Sequence, residues 1–175
     1  MVDQRNDALP WMARPRYYTQ VTSESSDPVT VFAIPEDAAV SSEYPGTPVL
    51  HLEPSRHSVL VRDVNGHERG MIRSDAIFPR LKYVMQRDGD EVWTLQARSL
   101  VLKRHALSHG SDKWIFDTPF FWWQTLAGAC DGAQRLAGSL LAPTKRIWFL
   151  WIEPGRDTHD LLAAVAFMHR NWWRL

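Results

Sequence analysis

Near the C-terminal end of the sequence, Pro154-Gly155 and a polar stretch lead into eight consecutive apolar residues, Leu161-Leu162-Ala163-Ala164-Val165-Ala166-Phe167-Met168. Asp157 or Thr158 can cap a helix here. Asp160 falls in its first turn, where a carboxylate suits the positive end of the helix dipole. A helix that is apolar on all sides has no face to turn to water, so protein must enclose it. The stretch is too short to cross a bilayer, which takes ~20 residues. Burying Leu161, Leu162, Val165, Phe167 and Met168 contributes on the order of 10 kcal/mol gross, at ~1.5–3 kcal/mol per large side chain. The preceding chain has to supply the wall.

That chain reads as β. Residues 29–34 are β-branched and lie between Pro28 and Pro35, and 49–52 form a short strand after a loop with Pro45, Gly46 and Pro48. Residues 58–63 and 68–73 flank Asn65-Gly66, a dipeptide that suits a type I′ hairpin because both central residues need positive φ. Leu81, Tyr83 and Met85 then alternate with Arg80, Lys82 and Gln86. Beyond Asp88-Gly89, Trp93, Leu95 and Ala97 alternate with Thr94, Gln96 and Arg98. This period of two marks half-buried strands. Further strands are expected over 100–107 and 113–117, separated by the turn Ser108-His109-Gly110-Ser111. Others follow over 120–127 after Pro119, and over 136–141 and 146–152 after Asp131-Gly132. Roughly ten to twelve short strands without intervening helices point to a sandwich or barrel. A terminal helix apolar on every side favours a barrel with that helix through its middle.

The chain has 175 residues, enough for one domain. Residues 1–25 are expected to be a loosely attached segment, docked late by Trp11 and holding a short first strand near 16–21, with 26–175 as the single domain. The N-terminal stretch lacks the apolar run of a signal peptide, and no run of about 18 apolar residues occurs, so the expected location is the cytoplasm. Lys plus Arg and Asp plus Glu are both 20, which argues against a nucleic-acid partner and gives little protection against self-association. One cysteine, Cys130, excludes an internal disulfide and a cysteine-rich zinc site.

The order of these features resembles the tubby C-terminal-like superfamily, which includes tubby proteins, phospholipid scramblases and plant LURP-one-related proteins. The resemblance covers about 29–175. Its first element is a pair of hairpins of one grammar, Arg62-Asp63-Val64-Asn65-Gly66-His67-Glu68-Arg69-Gly70-Met71-Ile72 and Asp131-Gly132-Ala133-Gln134-Arg135-Leu136-Ala137-Gly138-Ser139-Leu140. The aromatic strand Trp114-Ile115-Phe116-Asp117-Thr118-Pro119-Phe120-Phe121 and the closing apolar helix after Asp157 complete it. The resemblance implies a mainly β fold: an antiparallel closed barrel of about twelve strands enclosing a hydrophobic C-terminal helix. It also implies association with anionic phospholipid head groups. The scramblase cysteine cluster, acidic calcium-binding segment and proline-rich extension are missing here, which argues against calcium-driven scrambling.

Arg80, Lys82 and Arg98 fall on polar strand positions, and Lys103, Arg104 and His105 follow. If the strands are neighbours, these cations converge on one sheet face and can donate charge-assisted hydrogen bonds to phosphate oxygens. Ordinary solvated surface, paired with Asp88, Asp90 and Glu91, is the alternative. The nine tryptophans suit strand packing, while Trp122 or Trp173 could sit at a membrane interface.

Other motifs point to no chemistry. His105 and His109 straddle a strand end and a turn, without the glutamate of a zinc protease motif. Cys130 precedes an acidic residue in an expected turn, which does not favour the thiolate. Gly138-Ser139-Leu140 lacks the second glycine of a nucleophile elbow. Asp88, Asp90 and Glu91 sit in a hairpin turn rather than a calcium loop. No glycine-rich phosphate loop, metal site or cofactor site is expected. The expected function is a non-enzymatic binding module for anionic lipid head groups, cytoplasmic and peripheral to the membrane, with Arg80, Lys82, Arg98, Lys103 and Arg104 as its ligand-binding residues. The alternative is a structural or protein-interaction domain that self-associates. An enzyme would need an open interior, which the terminal helix would fill.

Overall fold

The computed structural model describes residues 17–20, 27–35, 46–75, 81–99, 104–117, 126–131, 134–142, 147–152 and 158–171. They form a mainly β structure of antiparallel strands with one C-terminal helix. The strands are β1 Tyr17–Gln20, β2 Val29–Ala33, β3 Thr47–Pro54, β4 Ser58–Asp63, β5 Glu68–Ser74 and β6 Lys82–Arg87. They continue as β7 Asp90–Ser99, β8 Arg104–His109, β9 Asp112–Asp117, β10 Leu126–Asp131, β11 Gln134–Ala142 and β12 Ile147–Ile152, and α1 spans Thr158–Asn171.

Each strand from β2 to β11 pairs antiparallel with the strands before and after it in the chain, β12 pairs with β11, and β1 pairs with both β2 and β12. Residues 17–20, where a short first strand was expected, pair with both the first part of the sheet and the last: Tyr17 lies opposite Ala33 and Leu150. Thr19 in this strand is buried at 2% exposure. Residues 1–16 and 21–25 lie outside the described residues.

The period of two sets the inner wall. In β4, Val59 and Val61 are buried while Leu60 and Arg62 are half-buried. Met85, Trp93, Leu95, Leu107, Trp114 and Phe116 continue the core through β6 to β9. The helix fills the space this wall leaves. Every residue from Asp160 to Met168 is buried, which covers all sides of the helix. Strands β2, β3, β11 and β12 touch it, and so does β7, far round the strand order from the other four. Phe167 packs edge-on against Tyr83, with ring centroids 4.9 Å apart, and tilts against Trp93 at 6.3 Å.

Turn chemistry explains the registers. Asp88 and Gly89 both adopt positive φ, 53° and 91°, and Arg87 faces Asp90 across them, as a type I′ hairpin requires. Asn65-Gly66 behaves differently from the expected type I′ turn. Only Gly66 has positive φ, 81°, and the register shifts between Val61 and Arg62. The Asp63 carboxylate accepts hydrogen bonds from the Asn65 and His67 amides at 2.9 and 3.0 Å. That side-chain capture favours a longer loop in which glycine takes the left-handed position. Strand β8 runs on through His109, so the expected four-residue turn shrinks to Gly110-Ser111. The expected aromatic strand over 120–127 falls largely outside the described residues, which resume with β10.

Gly70 sits where the sheet is tightest. A Cβ there would lie 2.7 Å from the Gln86 carbonyl oxygen and 2.8 Å from Met85 Cε. Backbone cannot move aside cheaply, so Gly70→Ala should destabilise by ~1–3 kcal/mol. Equilibrium urea unfolding would show this, and an unchanged midpoint would contradict the contact. By the same measurement Phe167→Ala should lose ~3–5 kcal/mol, because the enclosed helix cannot collapse to fill the space.

Candidate functional site

Antiparallel hairpins send successive turns to opposite ends of a sheet, and this sorts the candidate residues. Lys82 opens β6, Arg98 is next to last in β7, and Arg104 opens β8. These strands are consecutive neighbours, so the three positions share one end of the sheet. Arg80 and Lys103 lie outside the described residues. In the chain they fall between β5 and β6, and between β7 and β8.

The expected row of cations on one sheet face needs correction. Ala97 pairs with His105, yet Ser99 pairs with Arg104. Arg98 is therefore the extra residue of a bulge and has no regular place in the in-out alternation. What the three positions share is a sheet end. Lys82 Nζ lies 3.3 Å from Asp75 Oδ2, with the two side chains 35% and 60% exposed. An exposed pair of this kind contributes ~0–1 kcal/mol and leaves the ammonium available to a competing anion.

The opposite end carries the carboxylates. Asp63 is buried at 9% exposure and receives, besides the two amides, His67 Nδ1 at 3.3 Å. Arg69 Nε is 3.7 Å from the same carboxylate. Burial acts to raise the Asp63 pKa, but the hydrogen bonds from the His67 and Asn65 amides and the His67 ring outweigh it, so the group titrates below its ordinary range. Asp160, in the first turn of α1 and 3% exposed, contacts Arg87 Nη2. His109 Nε2 approaches its other oxygen at 4.0 Å. Arg87 Nε also donates to the Arg69 carbonyl at 2.6 Å, so one guanidinium joins β5, β6 and α1.

His105 is buried at 1% exposure within β8, opposite Phe116, and His109, expected in a turn, ends the same strand. His109 lies four residues further along the same strand, roughly 13 Å away at strand rise, so the two do not meet at one metal. Among the described residues no group of three or more His, Cys, Asp or Glu is placed to hold a metal ion. Cys130 stands within β10, paired in register with Arg135 and Ile115, rather than in a turn. Trp93 and Trp114 are core residues at 1% and 2% exposure, while Trp122 and Trp173 lie outside the described residues. The contact between Arg87 and Asp160 joins residues 73 apart, and no local sequence pattern announces it.

Comparison with family models, with curated proteins and with solved structures gives no match. Among the described residues no helix is long and apolar enough to cross a membrane. The physical properties of the two sheet ends are therefore what a functional reading has to use.

Asp63 supplies a pH test. Its folded pKa is depressed, so its contribution to stability is present above the unfolded pKa and is lost as pH falls through the folded one. The stability difference between the wild type and Asp63→Asn, measured by urea unfolding across pH, should be full at neutral pH. It should shrink below the usual carboxylate range. A difference that stays constant into strong acid would show that the hydrogen-bonded ionised carboxylate is not its source.

Proposed function

We propose that the chain is a non-enzymatic, tubby-like barrel that binds anionic phospholipid head groups at a membrane surface. Two observations support the barrel reading. The strand order joins β1 to both β2 and β12, and the apolar helix is buried along Asp160 to Met168. With the interior occupied by helix, recognition falls to the outside of the sheet. The observation that carries the site is the convergence of Lys82, Arg98 and Arg104 on one end through three consecutive strands. Arg80 and Lys103 complete the proposed set through their places between the same strands.

Phosphate oxygens accept strong hydrogen bonds from guanidinium and ammonium groups. Near an anionic leaflet each cation contributes ~1 kcal/mol, so several acting together give reversible peripheral binding. Exposed charges of this kind are screened by salt. Co-sedimentation with phosphatidylcholine vesicles, with and without phosphatidylserine, tests the reading. Binding is expected only to the anionic vesicles and is expected to weaken as salt rises. The triple variant Lys82→Glu, Arg98→Glu, Arg104→Glu should bind at least ~100-fold more weakly. Absence of binding by the folded wild type at low salt, or equal binding by the triple variant, would overturn the proposal.

A further inference from the structure

The formal net charge of the chain is zero, which by itself offers nothing for an anionic surface to attract. The fold separates that balance in space. At the end where β4–β5 and β6–β7 turn and α1 begins, Glu68, Asp88 and Asp90 are exposed, and none has a cationic partner among the described residues. Three arginines there are paired with carboxylates: Arg62 reaches Glu53 at 3.1 Å, Arg69 lies beside Asp63, and Arg87 contacts Asp160. Lys113, near the Gly110-Ser111 turn, is exposed without a carboxylate partner among the described residues, and Arg135 is the second residue of β11 at this same end.

The other end has the reverse character. Arg56, in the turn between β3 and β4, and Arg73, next to last in β5, are both exposed. Neither has a carboxylate partner among the described residues. Arg73 pairs in register with Ser58, two residues beyond Arg56 in the chain, so the two belong to one corner of the sheet. Asp75 at this end is held by Lys82, Glu53, next to last in β3, is paired with Arg62 reaching along the sheet, and Asp117 occupies the last position of β9. Lys82, Arg98 and Arg104 stand on the strands that follow.

We infer that Arg56 and Arg73 belong to the same anion-binding end as Lys82, Arg98 and Arg104, and that the protein meets an anionic bilayer end-on, with its acidic turns pointing away. This rests on the membrane reading above and adds to it an orientation and two residues. Distance decides whether the acidic end opposes binding. The 10 residues of β7 separate its two ends by roughly 30 Å at strand rise. At physiological salt the Debye length is about 8 Å, so charges that far from the bilayer are screened out. The near end then acts as a cationic surface although the molecule is neutral.

Co-sedimentation at ~0.15 M salt, where that screening holds, with phosphatidylcholine vesicles containing phosphatidylserine tests this. The variants are Arg56→Glu with Arg73→Glu at the cationic end, and Asp88→Asn with Asp90→Asn at the acidic end. Far-UV circular dichroism and thermal midpoints establish that each variant is folded. The first pair should bind at least ~10-fold more weakly than wild type, and the second should stay within ~2-fold of it. If wild type binds and the arginine pair binds equally well, the inference falls and the membrane reading stands. Should the acidic-end pair shift binding as much as the arginine pair, the orientation is wrong. If wild type binds at low salt but not at ~0.15 M, the inference falls, and if it binds at neither, the membrane reading fails with it. A change in solution mass on arginine reversal, with vesicle binding intact, would assign Arg56 and Arg73 to contacts between copies and overturn the inference.

Discussion

Enclosure of a helix with no polar side is the constraint from which the rest of the structure follows. Asp160 through Met168 are all buried, so the surrounding β-structure has to present apolar residues to every face of α1. Ala163, Ala164 and Ala166 keep the helix narrow, while Phe167 reaches out to Tyr83 and Trp93. The four residues of β1 pair with β2 on one side and β12 on the other.

Apolar burial is non-directional, and an all-apolar helix could slide or rotate within such a wall at little cost. The buried carboxylate of Asp160 removes that freedom. It meets Arg87, which also donates to the Arg69 carbonyl, so the start of α1 is fixed against both β5 and β6. Removing one partner would strand the other in a poorly hydrated place, which makes the pair a stronger specifier of position than a contributor to net stability.

Much of this was legible in the residues because it is local. The alternation of Tyr83 and Met85 with Lys82 and Gln86 sets the faces of β6, and Asp88-Gly89 sets its hairpin. The apolar run identified α1 and its need for cover. Features that depend on side chains reaching into the backbone were not legible. Asn65-Gly66 looked like a type I′ turn until the Asp63 carboxylate was seen to hold two amides of the loop. His109 looked like a turn residue because polar neighbours surround it, yet it pairs opposite Trp93 inside the sheet. The candidate cations were found by face, through the period of two. Their actual grouping is by end, which the period does not encode and the hairpin connectivity does.

That distinction changes what a charge balance means. Composition sums Lys, Arg, Asp and Glu over the whole chain and returns zero, as though the charges were mixed. In an antiparallel meander, each turn lies at the opposite end from the one before it. Charges near the β4–β5 and β6–β7 turns gather at one end, and those near β3–β4, β5–β6 and β7–β8 gather at the other. Asp88 and Asp90 are close in sequence to Lys82 and Arg98, yet the length of a strand divides them. That length is about two Debye lengths or more at physiological salt, so each end interacts with its surroundings nearly independently. A neutral meander can therefore present two surfaces of opposite sign, and the order of its turns states which residues belong to each.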